Sequence, residues 1–267
     1  MAATRSTKPR PVLSFIQSSA RRLGLRPAAR GRRSWLDVVC VAWLAWLFDW
    51  INDLPPVRQR LAERHAADVL DLERSLHIAP EHALNVWAAS HSWVSHALVA
   101  WYEDAHLYIT FGVFAWVWWR RPDLLSALRI SFFAVNAVAL VVFSTYPVAP
   151  PRMLPADGFR DLNAIVDGYR PWRGGAVSLD SNQLASLPSL HVALAVIVTL
   201  ALLWATRRRA VRVAAVVYPF ITTLAVMGTA NHFLADAVTG ASAGVLIALG
   251  AQRIVTRRRA PRPVTQA

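Results

Sequence analysis

The sequence predicts an all-α fold: a polytopic membrane bundle of six transmembrane helices plus an extracytoplasmic interfacial helical segment. The first observation is apolar content in blocks. Of 267 residues, 55% are hydrophobic and 12 are Trp, and the apolar residues run together instead of alternating with polar ones. A spanning helix needs ~20 mostly apolar residues to cross about 30 Å of hydrocarbon. Blocks at 35–52, 103–119, 129–147, 189–206, 211–229 and 232–254 meet or approach that length. They are too long for buried strands, and in lipid only helices or closed barrels satisfy their own backbone. The second observation is charge. The net +13 comes from 29 Lys+Arg against 16 Asp+Glu. The basic residues gather in 1–34, 120–129, 207–212 and 253–262, where Asp123 is the sole acidic residue. Basic loops stay cytoplasmic. Six crossings with both termini inside put all four segments on that side. The charge is therefore an orientation signal, and no nucleic-acid partner is expected.

The elements follow in order. Residues 1–34 form a basic cytoplasmic segment, "RRLGLRPAARGRRSW", with no small-residue cleavage site after the first apolar block. That reads as a retained signal anchor, with contact to anionic lipid as a minor role. The membrane domain occupies 35–254, and a basic cytoplasmic tail follows at 255–267. Cys40 is the single cysteine, so neither an intrachain disulfide nor a cysteine metal cluster is available.

Two outer segments stand apart. Residues 53–102 hold the helical patterns "VRQRLAERHAADVLDLERSL" and "HALNVWAASHSWVSHALVAWY". The stretch 83–101 is apolar enough to cross, but a seventh crossing would turn the arginine loops outward. An interfacial helix with Trp87, Trp93 and Trp101 at headgroup depth fits better. Residues 148–188 form a long Pro- and Gly-rich loop joining two candidate motifs, and ordered loops of that length are commonly functional.

Three polar features interrupt the apolar background: Arg152 in "YPVAPPRML", Ser189 and His191 in "LPSLHVA", and His232 and Asp236 in "GTANHFLADAVTG". In the expected topology all three lie at one membrane depth, on the extracytoplasmic side. His232 and Asp236 are four apart and stack on one helical face. A carboxylate there accepts the imidazole Nδ1–H and leaves Nε2 as nucleophile or base. His191 serves as proton donor to a leaving oxygen. Arg152 offers a fork for two phosphate oxygens. Ser189 and the amides opening the fourth span make an anion site. Each feature alone has an ordinary explanation: an interfacial anchor, an N-cap, a chance HxxxD. Together they describe a phosphate cradle with a histidine nucleophile.

"APPRML", "SLPSLHVA" and "GTANHFLADAVTG", in this order on these spans, resemble the type 2 phosphatidic acid phosphatase superfamily, and within it the inositol phosphorylceramide synthase-like branch. The likeness covers about residues 100–250 and includes "WYEDAH" before the second span. It implies that His232 attacks phosphorus to give a phosphohistidine, with Asp236 as its orienter. It implies that His191 protonates the leaving alcohol and then serves as base for the acceptor. Arg152 and Ser189 inherit phosphate binding, Tyr102 and His106 line the substrate site, and no metal or other cofactor is required. The sequence departs from the broader pattern at Val226 and Ala225, where an arginine and its preceding serine are usual, so Arg170 or Arg173 would supplement Arg152. The missing arginine and the six spans also make a soluble vanadate-binding haloperoxidase a poor fit. His91, Glu103, Asp104 and His106 could suggest a metal site, but the His91–His96 spacing of five leaves a single helical face.

The expected enzyme sits in the cell membrane and acts on a phospholipid or lipid phosphate. A hydroxyl acceptor makes it a phosphotransferase, and water makes it a lipid phosphate phosphatase. A transporter or scramblase is the rival. It calls for ionisable groups at the bilayer midplane, whereas here Asp37 and Asp49 lie towards the ends of the first block and the key histidines lie at span mouths.

Overall fold

The computed structural model describes residues 58–168 and 184–259. The basic segment 1–34, the expected span 35–52, Arg170, Arg173 and the tail from 260 lie outside the described residues. Among those described, nine α-helices run in order: α1 Gln59–Ser75, α2 Glu81–Ala89, α3 Ser92–Ala100, α4 His106–Arg120, α5 Pro122–Thr145, α6 Leu162–Asp167, α7 Leu190–Ala205, α8 Arg209–Gly228 and α9 Leu234–Arg259. An isolated bridge joins Val148 to Ala185.

Three of these helices are long and apolar enough to cross a membrane: Pro122–Thr145, Arg209–Gly228 and Leu234–Arg258. The apolar α7 is shorter, at 16 residues. The segment expected to lie at the interface is divided. The chain leaves helical geometry at His91, which has extended backbone (φ −125°, ψ 94°). The 9-residue α2 spans roughly 14 Å at 1.5 Å per residue, too little to cross alone. The α3 helix instead passes through a π-helical turn, Trp101–Ala105, into α4. Trp87 and Trp93 remain exposed. At the other end of the chain, α9 starts two residues later than the sequence suggests and runs past 254 to Arg259.

The bundle core joins α4, α5, α7 and α9 through Phe114, Val117, Leu128, Phe132, Ile197 and Ala248. Small residues bring α7 and α9 together. A Cβ at Gly240 would lie 2.3 Å from the Ser189 carbonyl oxygen, and one at Gly244 would lie 2.7 Å from that of Ala193. Glycines four apart are the usual means of letting two helix backbones approach in lipid. A methyl at Gly240 meets main chain, which cannot rotate away. Gly240→Ala is therefore expected to cost about 1–3 kcal/mol of stability, the range for overpacking a tight core. A thermal-unfolding midpoint in detergent equal to that of the parent protein would contradict this packing.

The α1 helix buries Ala62, Ala66, Leu70 and Glu73, a spacing that puts all four on one face. That face packs on Val148, Ala149, Phe159 and Phe233. The Ala149 N–H donates to the Ala62 carbonyl at 3.1 Å, and Arg74 pairs with Asp157 at 2.9 Å.

The ends of the bundle differ in chemistry. The helices α4, α7 and α9 begin at one end with His106, Leu190 and Leu234. Arginines occupy the other end. Arg121 pairs with Asp123 at 2.8 Å and also donates to the Ala205 carbonyl. Arg212 donates to the Leu203 carbonyl at 2.8 Å. Both supply cations to the last carbonyls of α7, where the helix dipole favours positive charge.

Candidate active site

The histidine end of the bundle collects Arg152, Ser189, His191, His232 and Asp236, with Tyr102 and His106 behind them. Ser189 is the N-cap of α7, its backbone extended and its Oγ accepting the Val192 N–H at a long 3.4 Å. Its own N–H donates to the Asp236 carbonyl at 3.0 Å. Ser189 is fully buried. The anion site expected at this helix start is thus partly spent on the protein, which engages the N–H groups of Ser189 and Val192.

His191 sits in the first turn of α7, among rings. Tyr102 stacks on it at 4.5 Å between centroids, His106 lies at 5.1 Å and His232 at 5.8 Å. Tyr102 comes from the π-helical turn, whose neighbour Trp101 donates to Thr222 of α8 at 3.2 Å. His106 is 1% exposed, and its Nδ1 lies 2.7 Å from the Tyr218 hydroxyl. That hydroxyl also lies 3.2 Å from Thr110 Oγ1. His106 therefore packs against His191 and is fixed there by the Tyr218 hydroxyl.

His232 lies in the turn before α9, not on the helix. The expected stacking of His232 and Asp236 on one helical face is thus corrected. The two groups still meet, with Nδ1 3.4 Å from Asp236 Oδ2, because Asp236 folds back over the helix start. Its Oδ2 accepts the Phe233 N–H at 2.9 Å, the acidic half of a capping box. The same oxygen accepts the Ser186 hydroxyl. The nearest partner of His232 Nδ1 is the Ser186 backbone carbonyl, at 2.9 Å. A carbonyl only accepts, so Nδ1 carries the hydrogen, and Nε2 keeps its lone pair. Ser186 touches both His232 and Asp236, and the sequence does not single it out. Half of its contribution is main chain, which has no signature in a sequence.

Arg152 lies in a single 3₁₀ turn, Pro151–Met153. Its N–H donates to the Ala230 carbonyl at 2.9 Å and its Nη1 donates to Asn231 Oδ1. Its Nε is 3.7 Å from Asp161. This places the guanidinium on the residue immediately before His232. Asn231 is held in turn by Asn163 at 3.1 Å and by Thr229 at 2.8 Å, and Asn163 donates to Glu103 at 2.6 Å. Asn231, Asn163 and Glu103 form a polar chain running away from Arg152. Among the described residues no group of three His, Cys, Asp or Glu side chains is arranged to hold a metal ion.

Arg152, His191 and His232 thus come together from chain positions up to 80 residues apart, with Ser189 and Asp236 at the starts of adjoining helices. A base with a free Nε2, a second imidazole and a guanidinium in one pocket is suited to moving a phosphoryl group. A solved structure, that of Aquifex aeolicus LpxE, is similar at 13% identity and a TM-score of 0.40, over 78% of this chain and 94% of that one. No curated protein matches the chain. Residues 67–252 match the PAP2 superfamily. That segment runs from the middle of α1 into α9 and encloses Arg152, Ser189, His191, His232 and Asp236, so the chain belongs to the PAP2 superfamily.

Proposed function

We propose that the chain is an integral membrane enzyme that cleaves lipid phosphoesters through a phosphohistidine on His232, at the extracytoplasmic face. The observation that supports this most is the environment of one ring: Nδ1 of His232 is held by Ser186 and Asp236 while His191 and Arg152 stand beside it. In the first step the Nε2 lone pair attacks phosphorus, the bond from phosphorus to the lipid oxygen breaks, and His191 gives that oxygen a proton. In the second step His191, now neutral, takes a proton from the acceptor hydroxyl. The acceptor oxygen bonds to phosphorus and Nε2 departs. Arg152 and the Ser189 hydroxyl hold the phosphoryl oxygens throughout.

A polyol or lipid hydroxyl as acceptor makes the protein a phosphotransferase, and the "APPRML" form of the motif favours that outcome. Water as acceptor makes it a lipid phosphate phosphatase, with the same first half-reaction. The test uses purified protein in detergent with ³²P-labelled lipid phosphates, with and without polyol acceptors. An acid-labile, alkali-stable labelled adduct is expected, together with either inorganic phosphate or a new phosphoester. Turnover without any trapped adduct would remove the covalent mechanism, and no turnover with any lipid phosphate would remove the enzyme.

A further inference from the structure

Beneath the start of α9 lie two carboxyl groups that the chemistry above does not use. Glu73, on α1, and Glu81, on α2, are 2% and 0% exposed. Buried glutamates are rare unless paired. Glu73 Oε1 accepts the Ala235 N–H at 2.5 Å, in the first turn of the helix that Asp236 opens. Glu73 and Glu81 are in side-chain hydrogen-bond contact with each other. Yet among the described residues Glu73 Oε2, both oxygens of Glu81 and Asp236 Oδ1 have no N–H or O–H donor from a further residue, and the backbone N–H of Glu81 itself is the one other group that reaches the Glu81 carboxyl. Two carboxylates cannot bond to each other without a hydrogen between them. The ionisable groups facing the pair are Asp236, from α9, and His82, the neighbour of Glu81. Among the described residues no Arg or Lys faces the pair. Two negative charges here would be buried beside a third, with His82 as the one partly compensating group among the described residues.

We infer that Glu73 and Glu81 share one proton and act as a positioning pair for His232 and Asp236. The pair then carries a single negative charge, placed on the Ala235 N–H where the positive end of the α9 dipole favours it. Glu81 supplies the proton that holds the Glu73 carboxylate on α9. Loss of that proton puts a second charge below Asp236, drives the two glutamates apart and releases the helix start. Burial is the main cause that pushes both groups above the usual carboxylate range, and the charge of Asp236 adds to the rise in each. The sign follows directly. A carboxyl that binds its proton more tightly when folded stabilises the fold at acid pH, and this contribution is lost as pH rises through the raised value.

The inference deepens the phosphohistidine proposal and rests on it for its activity readout alone. The full-length protein is compared with Glu81→Gln, whose amide provides a permanent N–H donor and cannot ionise. Wild-type kcat is expected to fall about tenfold per pH unit on its alkaline limb, and in Glu81→Gln that limb is expected to flatten or move to higher pH. Glu73→Gln, which keeps an oxygen for the Ala235 N–H, should behave alike. Two further readouts need no turnover. The infrared C=O band of a buried protonated carboxyl should be present in the wild type at neutral pH and absent from Glu81→Gln. The wild type should also lose stability from acid to alkaline pH more steeply than Glu81→Gln. An unchanged alkaline limb together with no protonated-carboxyl band would overturn the shared proton. A missing phosphohistidine adduct with the band present would instead count against the mechanism and leave the pair standing.

Discussion

Replacing His232 with Ala is expected to abolish phosphoryl transfer from any lipid phosphate, by on the order of 10⁴-fold or more in kcat, the scale on which loss of a covalent nucleophile is felt. The same variant should take up no ³²P label, whereas His191→Ala should still be labelled slowly by substrates with a good leaving group. The contrast comes from position. His232 has its Nδ1 engaged by the Ser186 carbonyl at 2.9 Å, so its Nε2 is available for attack. His191 is held by ring contacts with Tyr102 and His106, which suits a group that passes a proton. The fold should survive the change, because Asp236 and Phe233 keep the helix start closed through their own bond at 2.9 Å. Retained label or full turnover in His232→Ala would end the assignment.

Asp236→Asn is expected to slow turnover about 10²-fold, less than the roughly 10⁴-fold seen where a lone carboxylate fixes a catalytic imidazole. The reason is that three oxygens meet His232 Nδ1. The Ser186 carbonyl is the closest, at 2.9 Å, the Ser186 Oγ lies at 3.3 Å and the carboxylate at 3.4 Å. In the proposed mechanism the carbonyl fixes the tautomer, and the carboxylate stabilises the positive charge that the ring gains as it attacks phosphorus. Asparagine keeps an oxygen for the Phe233 N–H, so the variant isolates charge from capping. A loss as large as that of His232→Ala would show that the Ser186 carbonyl does not orient the ring. No loss would show that the carboxylate serves only the helix.

Much of this site is legible in the amino-acid sequence. Arg152, His191 and His232 can be named because each is a polar side chain at the mouth of an apolar block, where nothing but function or an interface explains it. The burial of His106 behind His191 is not legible, since "WYEDAH" gives spacing but not depth. The sequence also places His232 on the helix, whose first residue is two positions further on. It shows an i, i+4 pair, but the helix cannot begin until a residue caps it, and here Asp236 performs that task from inside the helix. Ser186 and the Glu73–Glu81 pair escape for a different reason. Their partners lie 46 to 162 residues away in the chain, and long-range contacts leave no periodic trace. The division of 83–101 at His91 is hidden too, because an apolar stretch carries the same composition whether or not its helix is broken.

The contact of Gly240 and Gly244 with the backbone of α7 bears on how such an enzyme changes over evolution. His191 follows one of the touching backbones and His232 precedes the other, so their separation is set by main chain against main chain. New substrate preferences are therefore most accessible through a segment that borders the site without carrying its chemistry, the 154–168 region with Asp161 and Asn163. The chemistry is inherited as a fixed part, and selectivity is free to vary around it.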